Sequence, residues 1–599
     1  MTPMEAEQEQ RRPPAPTRVR PGLELLALTL TFASLVLGLR YLAFRWLHIN
    51  THALWVSIPA ALAETAALLA FALDSIAGIH VADTEEAAPP AAAREIGADG
   101  PSGTRPVSVD VFIATYNEEP ALLEKSIRDA QHMRVPPGVE AKVYVLDDGR
   151  RKRVRDLAQD LGVHYITRET NEGFKAGNLR NAMDLTCGDL IVIFDADTRP
   201  FPEFLERTVG YFRDPKVAWV QTPQWFYDLD EGEALPRWLE SSLRLGVLGR
   251  ALGRLVEALL GPVRVNRDLL GNDPTPFYEL VQRRRNWSNA SFCCGAGSVH
   301  RRDSVMASAL FALGSEVESH LAPVSGEIDD PALRAQMEGM VASEAARGIE
   351  ITPYQFHVSE DIFTSLVLHS SQEQEFRSVF HPQVLCKMLS PQDLLSWTIQ
   401  RFKYAGGTLD IFLRHPIRRW RGLRPWQAIM YGNTLASYLS PIWLVPLFFA
   451  TLVYLYLGIC TTDDGGGNWI ARIAPFLICV RVARMLSTWG IHTMRSEQYA
   501  LASFWLNATA LLHVLRKKPV RFTVTPKMRQ SGTAWPLVAP HALVCTLFAG
   551  GLFALVLRAA QDPAQRPAAW VYGYIACGVI AAMSVPIRAT LRKPTEVPS

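Results

Sequence analysis

The sequence has almost no net charge to offer a partner: 61 Lys and Arg against 59 Asp and Glu leave +2 over 599 residues. A chain this balanced gives no global case for nucleic acid, whose binding rests on clustered positive charge. Cysteine is scarce as well, eight in all, and the eight lack the paired spacing of a zinc site or a secreted disulfide framework. Cys293 and Cys294 are adjacent and poorly placed to bridge each other. Cys460, Cys479, Cys545 and Cys577 lie in or beside apolar stretches, where cysteine serves as a small core residue. Reduced thiols and a cytosolic location for the soluble part are the expectation. There is no internal repeat. A cleavable signal is also missing, because the first apolar stretch is too long and has no clear small-residue cleavage site.

What is present is a mixture. The hydrophobic share of 48% combines a soluble part with apolar runs long enough to cross a bilayer, which takes about 20 residues. Such runs cover Leu23 to Trp46, Leu54 to Ile79, Tyr431 to Gly458, Ile470 to Trp489, Trp535 to Leu557 and Ala569 to Pro586, about six spans. Glu64 sits near the middle of the second; a carboxylate there faces another helix or water, or serves a proton relay. The fourth carries Arg472, Arg481 and Arg484 and lines a polar path or lies partly in the interface. Basic clusters at Arg11–Arg20, Arg414–Arg424, Arg516–Arg521 and Arg588–Lys593 fall on one side under this count, and the loop Thr461–Asn468 has no basic residue, in keeping with positive-inside topology. Both termini are then expected beside the catalytic domain. Pro391–Leu423 and Tyr499–Leu515 have the spacing of interfacial amphipathic helices.

Between the spans, after a linker at Val81–Pro106, apolar runs at Val109–Thr115, Lys142–Leu146 and Leu190–Phe194 alternate with helical patterns such as Leu122–Met133. That alternation predicts a parallel-rich α/β domain over 107–390, with a surface insertion at about 316–348. Ligands in such sheets bind beyond the carboxyl ends of the strands. There the first run leads into Thr115-Tyr116-Asn117-Glu118, the second into Asp147-Asp148-Gly149 and the third into Asp195-Ala196-Asp197. One Asp-x-Asp alone is a common solvated turn. Three polar clusters at successive strand ends point to a sugar-nucleotide site, where Asp195 and Asp197 can hold Mg²⁺ (or Mn²⁺) with the phosphates completing the shell, and Asp147 and Asp148 can hold the base and ribose side.

With Lys175-Ala176-Gly177-Asn178 and Gln221-Thr222-Pro223, these motifs resemble glycosyltransferase family 2, and in particular the catalytic subunits of bacterial cellulose synthases; the resemblance runs from Val107 to Pro586. It implies donor contacts at Thr115, Tyr116, Glu118, Asp147, Asp148, Lys175, Asn178, Asp195 and Asp197. Phe292-Cys293-Cys294-Gly295 is similar to the family's acceptor stretch, giving Cys294 and Gly295 as acceptor-binding residues. Ser359-Glu360-Asp361 resembles the motif whose aspartate is the general base, hence Asp361, although Ser359 or Asp361 can equally cap the helix predicted at Ile362–Leu368. Gln400-Arg401-Phe402-Lys403-Tyr404 stands where the family has Gln-x-x-Arg-Trp. Gln400, Arg401 and Lys403 are thus implied at the diphosphate, with lysine losing the bidentate grip of arginine, and Tyr404 at the acceptor in place of tryptophan. Trp225 offers a further stacking face. Phe522-Thr523-Val524-Thr525-Pro526-Lys527 matches the family's gating loop, with Phe522, Val524 and Lys527 in it and Thr525 reaching the donor; the alternative is a flexible basic linker.

The resemblance implies an inverting, processive, multi-pass inner-membrane enzyme with a cytosolic catalytic domain, using UDP-glucose, a growing polysaccharide, membrane lipids and a periplasmic export partner. Another β-glucan, a hexosaminan or mannan, a single-addition lipid transferase, and a transporter or receptor with a degenerate domain are the alternatives. A PilZ domain sensing cyclic di-GMP is not expected, since the chain ends at Ser599 soon after the last span.

Overall fold

The structure is a computed structural model that describes residues 12–99, 103–229, 232–260, 264–265, 268–310, 331–348, 353–355, 357–371, 374–414, 418–464, 467–518, 534–562 and 566–591. The chain opens with two long apolar helices, α1 (Pro21–Leu47) and α2 (Leu54–Ala77). It then builds an α/β domain. Strand β1 (Val107–Thr115), α3 (Pro120–Gln131), β2 (Val139–Asp147), α4 (Lys152–Asp160), β3 (His164–Ile166), α5 (Phe174–Leu185) and β4 (Leu190–Asp195) alternate as the sequence predicts. The four strands run parallel, because each is followed by a helix that carries the chain back across a face of the sheet.

Three further strands complete the sheet: β6 (Val217–Gln221), β10 (Ser298–Arg301) and β11 (Arg377–Phe380). Its order is β11-β6-β10-β4-β1-β2-β3, with β10 antiparallel to both neighbours. A small sheet of β5 (Arg199–Pro200), β12 (Cys386–Met388) and β7 (Gln224–Phe226), in the order β5-β12-β7, lies beside the end of β4. The main core, with Val109, Val111, Ile113, Val192, Phe194, Phe204 and Phe212 fully buried, covers one face of the large sheet. Ala176, Leu179 and Ala182 of α5 cover the other with Phe112 and Leu146. Burial of this kind contributes roughly 25 cal/mol per Å² of apolar surface, and it fixes the carboxyl ends of β1, β2 and β4 on one rim.

Behind the domain, α9 (Glu360–Ser370) and α10 (Leu394–Arg414) lead to α11 (Pro425–Tyr438), α12 (Pro441–Leu457), α13 (Gly467–Ser487), α14 (Met494–Ala502), α15 (Phe504–Leu515), α16 (Trp535–Gln561) and α17 (Arg566–Leu591). Among the described residues four helices are long and apolar enough to cross a membrane, and five if α11 and α12, bent by 43° at their junction, make one span. The expected six is therefore reduced. Helix α13 is long enough, but Arg472, Arg481 and Arg484 keep it from being uniformly apolar. It packs along α1, where a Cβ on Gly38 would lie 3.0 Å from Phe476 Cε2. Glu64 does face another helix: its carboxylate accepts from Arg45 Nε at 2.8 Å. Of the expected insertion, Pro331–Gly348 is a helix and 316–330 lies outside the described residues. Tyr499–Leu515 divides into α14 and α15 at Ser503.

Candidate active site

The three strand ends behave differently. At the end of β1, Glu118 folds back to accept from Thr115 Oγ1 and Tyr116 N, both at 2.8 Å. At the end of β2, Asp147 is fully buried and accepts from Gly149 N, Arg151 N and the Tyr165 hydroxyl. Arg151 also donates to Thr115 Oγ1 at 2.7 Å, so it ties the first two strand ends together. Asp148 receives the Arg168 guanidinium in a bidentate pair at 2.7 and 2.8 Å. Arg168 in turn holds the carbonyls of Glu172 and Phe174, which shape the turn entering α5. Asp147 and Asp148 are thus engaged in holding this rim.

That turn delivers Lys175. A Cβ on Gly177 would lie 2.0 Å from Glu172 O and 2.4 Å from Arg168 Nη1, so only glycine fits there. Asn178 is buried and donates to Leu146 O at 3.0 Å, which pins α5 to the end of β2. Lys175 Nζ reaches across to Asp195 Oδ1 at 2.5 Å. Burial alone would pull the ammonium's pKa down; Asp195, Glu360 and Asp361 outweigh it and hold the pKa above the ordinary lysine value. Asp197 is fully buried and accepts from Leu389 N at 3.3 Å.

Asp361 stands in the first turn of α9. Its Oδ1 accepts from Ile362 N at 2.8 Å, whereas the Ser359 side chain makes no capping bond. Ser359 N instead donates to His357 Nδ1 at 3.0 Å, and His357 Nε2 meets Asp410 of α10 at 3.1 Å. Burial raises the pKa of both Glu360 and Asp361, each opposed by Lys175 and Lys403. Lys403 itself is lowered by burial against the pull of Glu360, Asp195 and Asp361. Gly295, at φ +84°, passes between the two halves of the site: a Cβ there would lie 3.7 Å from Lys175 Nζ and 3.9 Å from Asp361 Oδ2.

The Phe292-Cys293-Cys294-Gly295 stretch is held by amides. Cys294 N donates to Gln221 Oε1 at 2.7 Å, and Gln224 Nε2 donates to Cys294 O at 3.1 Å. Burial pushes the Cys293 thiol up to about 12, which leaves it inert as a nucleophile. Arg401 lies over the Trp397 ring at 5.7 Å, and Gln400 is half-buried on the same helix. Tyr404 keeps 41% of its surface exposed. Trp225 is not brought to this group. It pairs with Lys387 across β7 and β12, and alternation along the strands sets both away from Gln224 and Cys386. Trp225 lines a cavity with its neighbour Gln224 and with Pro16 and Thr17 of the N-terminal segment. Phe522, Val524, Thr525 and Lys527 lie outside the described residues.

The structure therefore brings Lys175, Asp195, Glu360, Asp361, Gly295 and Lys403 together around one crevice, with Asp197 buried two residues beyond Asp195. Arg151, Arg168 and His357 were not singled out in the sequence. Arginine in a polar loop has no pattern that separates it from a solvated one, and the His357–Asp410 contact joins residues 53 apart.

The model for "Glycosyl transferase family 2" matches residues 110–307, and that for "Glycosyl transferase family group 2" matches residues 278–489. A "Cellulose synthase catalytic subunit [UDP-forming]" from Pseudomonas fluorescens is 27% identical over 455 residues, 74% of this chain and 51% of that protein. A "Putative cellulose synthase 2" from Komagataeibacter xylinus is 26% identical over 466 residues, 75% of this chain and 25% of that protein. The chain thus spans between a quarter and about half the length of these curated relatives. Among solved structures, a mannosyltransferase from Pyrobaculum calidifontis in complex with GDP-Man and Mn²⁺ aligns over 82% of this chain and 99% of its own, at a TM-score of 0.38 and 14% identity. The chain thus matches a glycosyltransferase family 2 model over residues 110–307 and a family group 2 model over residues 278–489, and it is similar to cellulose synthase catalytic subunits.

Proposed function

We propose that the protein is a processive, inverting hexosyltransferase that elongates a β-glucan from UDP-glucose and passes it through its own helices across a bacterial inner membrane, with the catalytic domain on the cytosolic side. The observation that carries this reading is the meeting of Lys175 and Asp361 at Gly295. It sets a carboxylate of raised pKa beside a cation-lined rim, between the acceptor stretch and the strand ends. The homology to cellulose synthase subunits supports the glucan and the UDP-sugar.

In this reading Asp361 removes the proton from the acceptor hydroxyl while that oxygen attacks the anomeric carbon. The bond from that carbon to the diphosphate oxygen breaks in the same displacement, so an α-linked donor gives a β-linked product. Lys403, with Arg401, offsets the charge that develops on the leaving UDP. Asp195 and Asp197, two residues apart on one strand end, are oxygen ligands that suit a hard divalent cation. The described residues contain no cluster of three ligating side chains, which fits a cation shared with the donor diphosphate. Bound there, Mg²⁺ or Mn²⁺ would supply Lewis-acid charge to the diphosphate. Lys175 donates to one Asp195 oxygen, so it and a cation would share that carboxylate. Cys294, Gly295 and Tyr404 form the acceptor side.

The test is incubation of the purified, membrane-reconstituted chain with labelled UDP- and GDP-sugars, followed by linkage analysis. A β-linked polymer from UDP-glucose is expected. A polymer from another donor moves the reading to another β-linked polysaccharide, and transfer of a single sugar to lipid overturns processivity.

A further inference from the structure

Among the described residues, the α/β domain exposes an apolar helix face that neither its core nor the crevice uses. Between β7 and β10 the chain makes a helical hairpin. Strand β8 (Glu233–Ala234) pairs antiparallel with β9 (Arg264–Val265) at its root, and α6 (Leu235–Ser241) and α7 (Gly246–Leu260) form its arms. The arms pack through glycines: a Cβ on Gly249 would lie 2.7 Å from Leu239 O, and one on Gly253 would lie 2.5 Å from Pro236 Cα. Arg250 pairs with Glu240 across them.

The other face of α7 is bare. Val247 is 81% exposed, Leu248 73%, Leu252 47% and Leu255 59%. At about 100° per residue these positions, with Ala251 and Ala258, fill an arc of roughly 140° that contains no charge. Arg254 borders the arc, and Arg244 stands exposed before the helix. Among the other described residues of the α/β domain, Leu333, Met337 and Met340 share an exposed face of the helix Pro331–Gly348; the remaining exposed large apolar residues are scattered and need no explanation.

The root of the hairpin lies at the level where the long apolar helices begin and end. Arg264 lines one cavity with Thr17 and His492. Thr17 precedes α1 by four residues, and Arg20 covers the Trp489 ring just after α13. Beyond β9, Leu269 O accepts from the Tyr499 hydroxyl at 2.6 Å, and Leu270 packs with Val538 of α16 and Val585 of α17. A helix of this composition, rooted at this level, is suited to lie in a bilayer interface, apolar face inward and arginines among headgroups.

We infer that α7 is a peripheral membrane anchor of the catalytic domain, seating Val247, Leu248, Leu252 and Leu255 in the acyl boundary and setting Arg244 and Arg254 against anionic lipid. The anchor adds a second attachment beside the spans and involves no residue of the crevice.

The test places the photoreactive residue benzoylphenylalanine at position 252 of the full chain, in nanodiscs of phosphatidylcholine with or without phosphatidylglycerol. A control carries it at exposed Arg237 of α6. Irradiation should yield lipid adducts on the peptide bearing residue 252 and not on that bearing 237. The yield should be higher with phosphatidylglycerol by up to roughly thirtyfold, a factor of about five for each of Arg244 and Arg254 near an anionic membrane. A covalent dimer through residue 252 would assign the face to a second copy and overturn the inference, as would an adduct yield no higher than at 237. The readout needs no sugar transfer, so it stands apart from the outcome of the donor panel. If the substitution at 252 prevents folding, the same probe at Leu248 applies the same criteria.

Discussion

Replacing Asp361 with asparagine keeps the size of the side chain and removes its capacity to take a proton. Loss of a positioned general base costs at least about 10²-fold in rate, or ~2.7 kcal/mol of transition-state stabilisation. Burial holds the pKa of Asp361 above the ordinary aspartate value, with Lys175 and Lys403 only partly opposing it. The base is active when ionised, so transfer should fall as pH drops through this raised pKa. The acid limb of kcat/KM should therefore lie above the ordinary aspartate range near ~3.9. Asp361→Asn should abolish that limb together with the rate. Donor binding should be unchanged or slightly tighter, since the variant removes a negative charge facing the phosphates. The assay is initial UDP release and polymer yield across pH, with UDP affinity measured by calorimetry on the same preparation. Near-parental transfer with an unmoved acid limb would refute the assignment and direct attention to Glu360. Glu360→Gln should keep transfer within about tenfold of the parent if Asp361 is the base.

Asp197→Ala should abolish the increase in UDP affinity that Mg²⁺ gives the parent, because Asp195 alone is a poor anchor for an oxygen-coordinated cation; equal enhancement by calorimetry would remove the metal role. Gly177→Ala forces a Cβ to within 2.0 Å of the Glu172 carbonyl and should lower stability by about 1–3 kcal/mol while displacing Lys175; an unchanged melting temperature and UDP affinity would contradict the packing at that turn. Phe522→Ala combined with Val524→Ala should stop polymer formation with the melting temperature preserved, if the segment closes over the donor and excludes water; normal polymer yield would return it to a linker.

The crevice was legible where the sequence repeats one physical pattern. The run ending at Asp195 is continuous and apolar, as a strand covered on both faces must be; those ending at Thr115 and Asp147 are apolar over residues 111–114 and 143–146, and the polar ends stand out by contrast. Strand β10 was not legible, because Ser298–Arg301 is short and joins the sheet antiparallel, with no crossover helix to announce it. The span count erred at α13, where length was weighed above its three arginines. The placement of Trp225 follows from the pairing of β7 with β12, far along the chain, which a single chain position does not specify. The hairpin of α6 and α7 carries its apolar residues at helical spacing, yet only three-dimensional packing reveals that glycines fill the inner face and leave the leucines outside.

Arg45 joins three parts of the chain: it donates to Glu64 and Ser57 O of α2 and to Thr461 O, 416 residues further on. This makes its assembly a matter of timing during synthesis. The Arg45–Glu64 pair can form as soon as α1 and α2 exist, and it cancels two charges that are each costly in an apolar surrounding. The Thr461 carbonyl arrives only after the whole α/β domain has been made, roughly 20–80 s later at ordinary elongation rates. During that interval one Arg45 donor lacks its final acceptor. The helical pair that begins the chain is therefore completed by the segment joining α12 to α13, and the catalytic domain is enclosed between two halves of a single fastening.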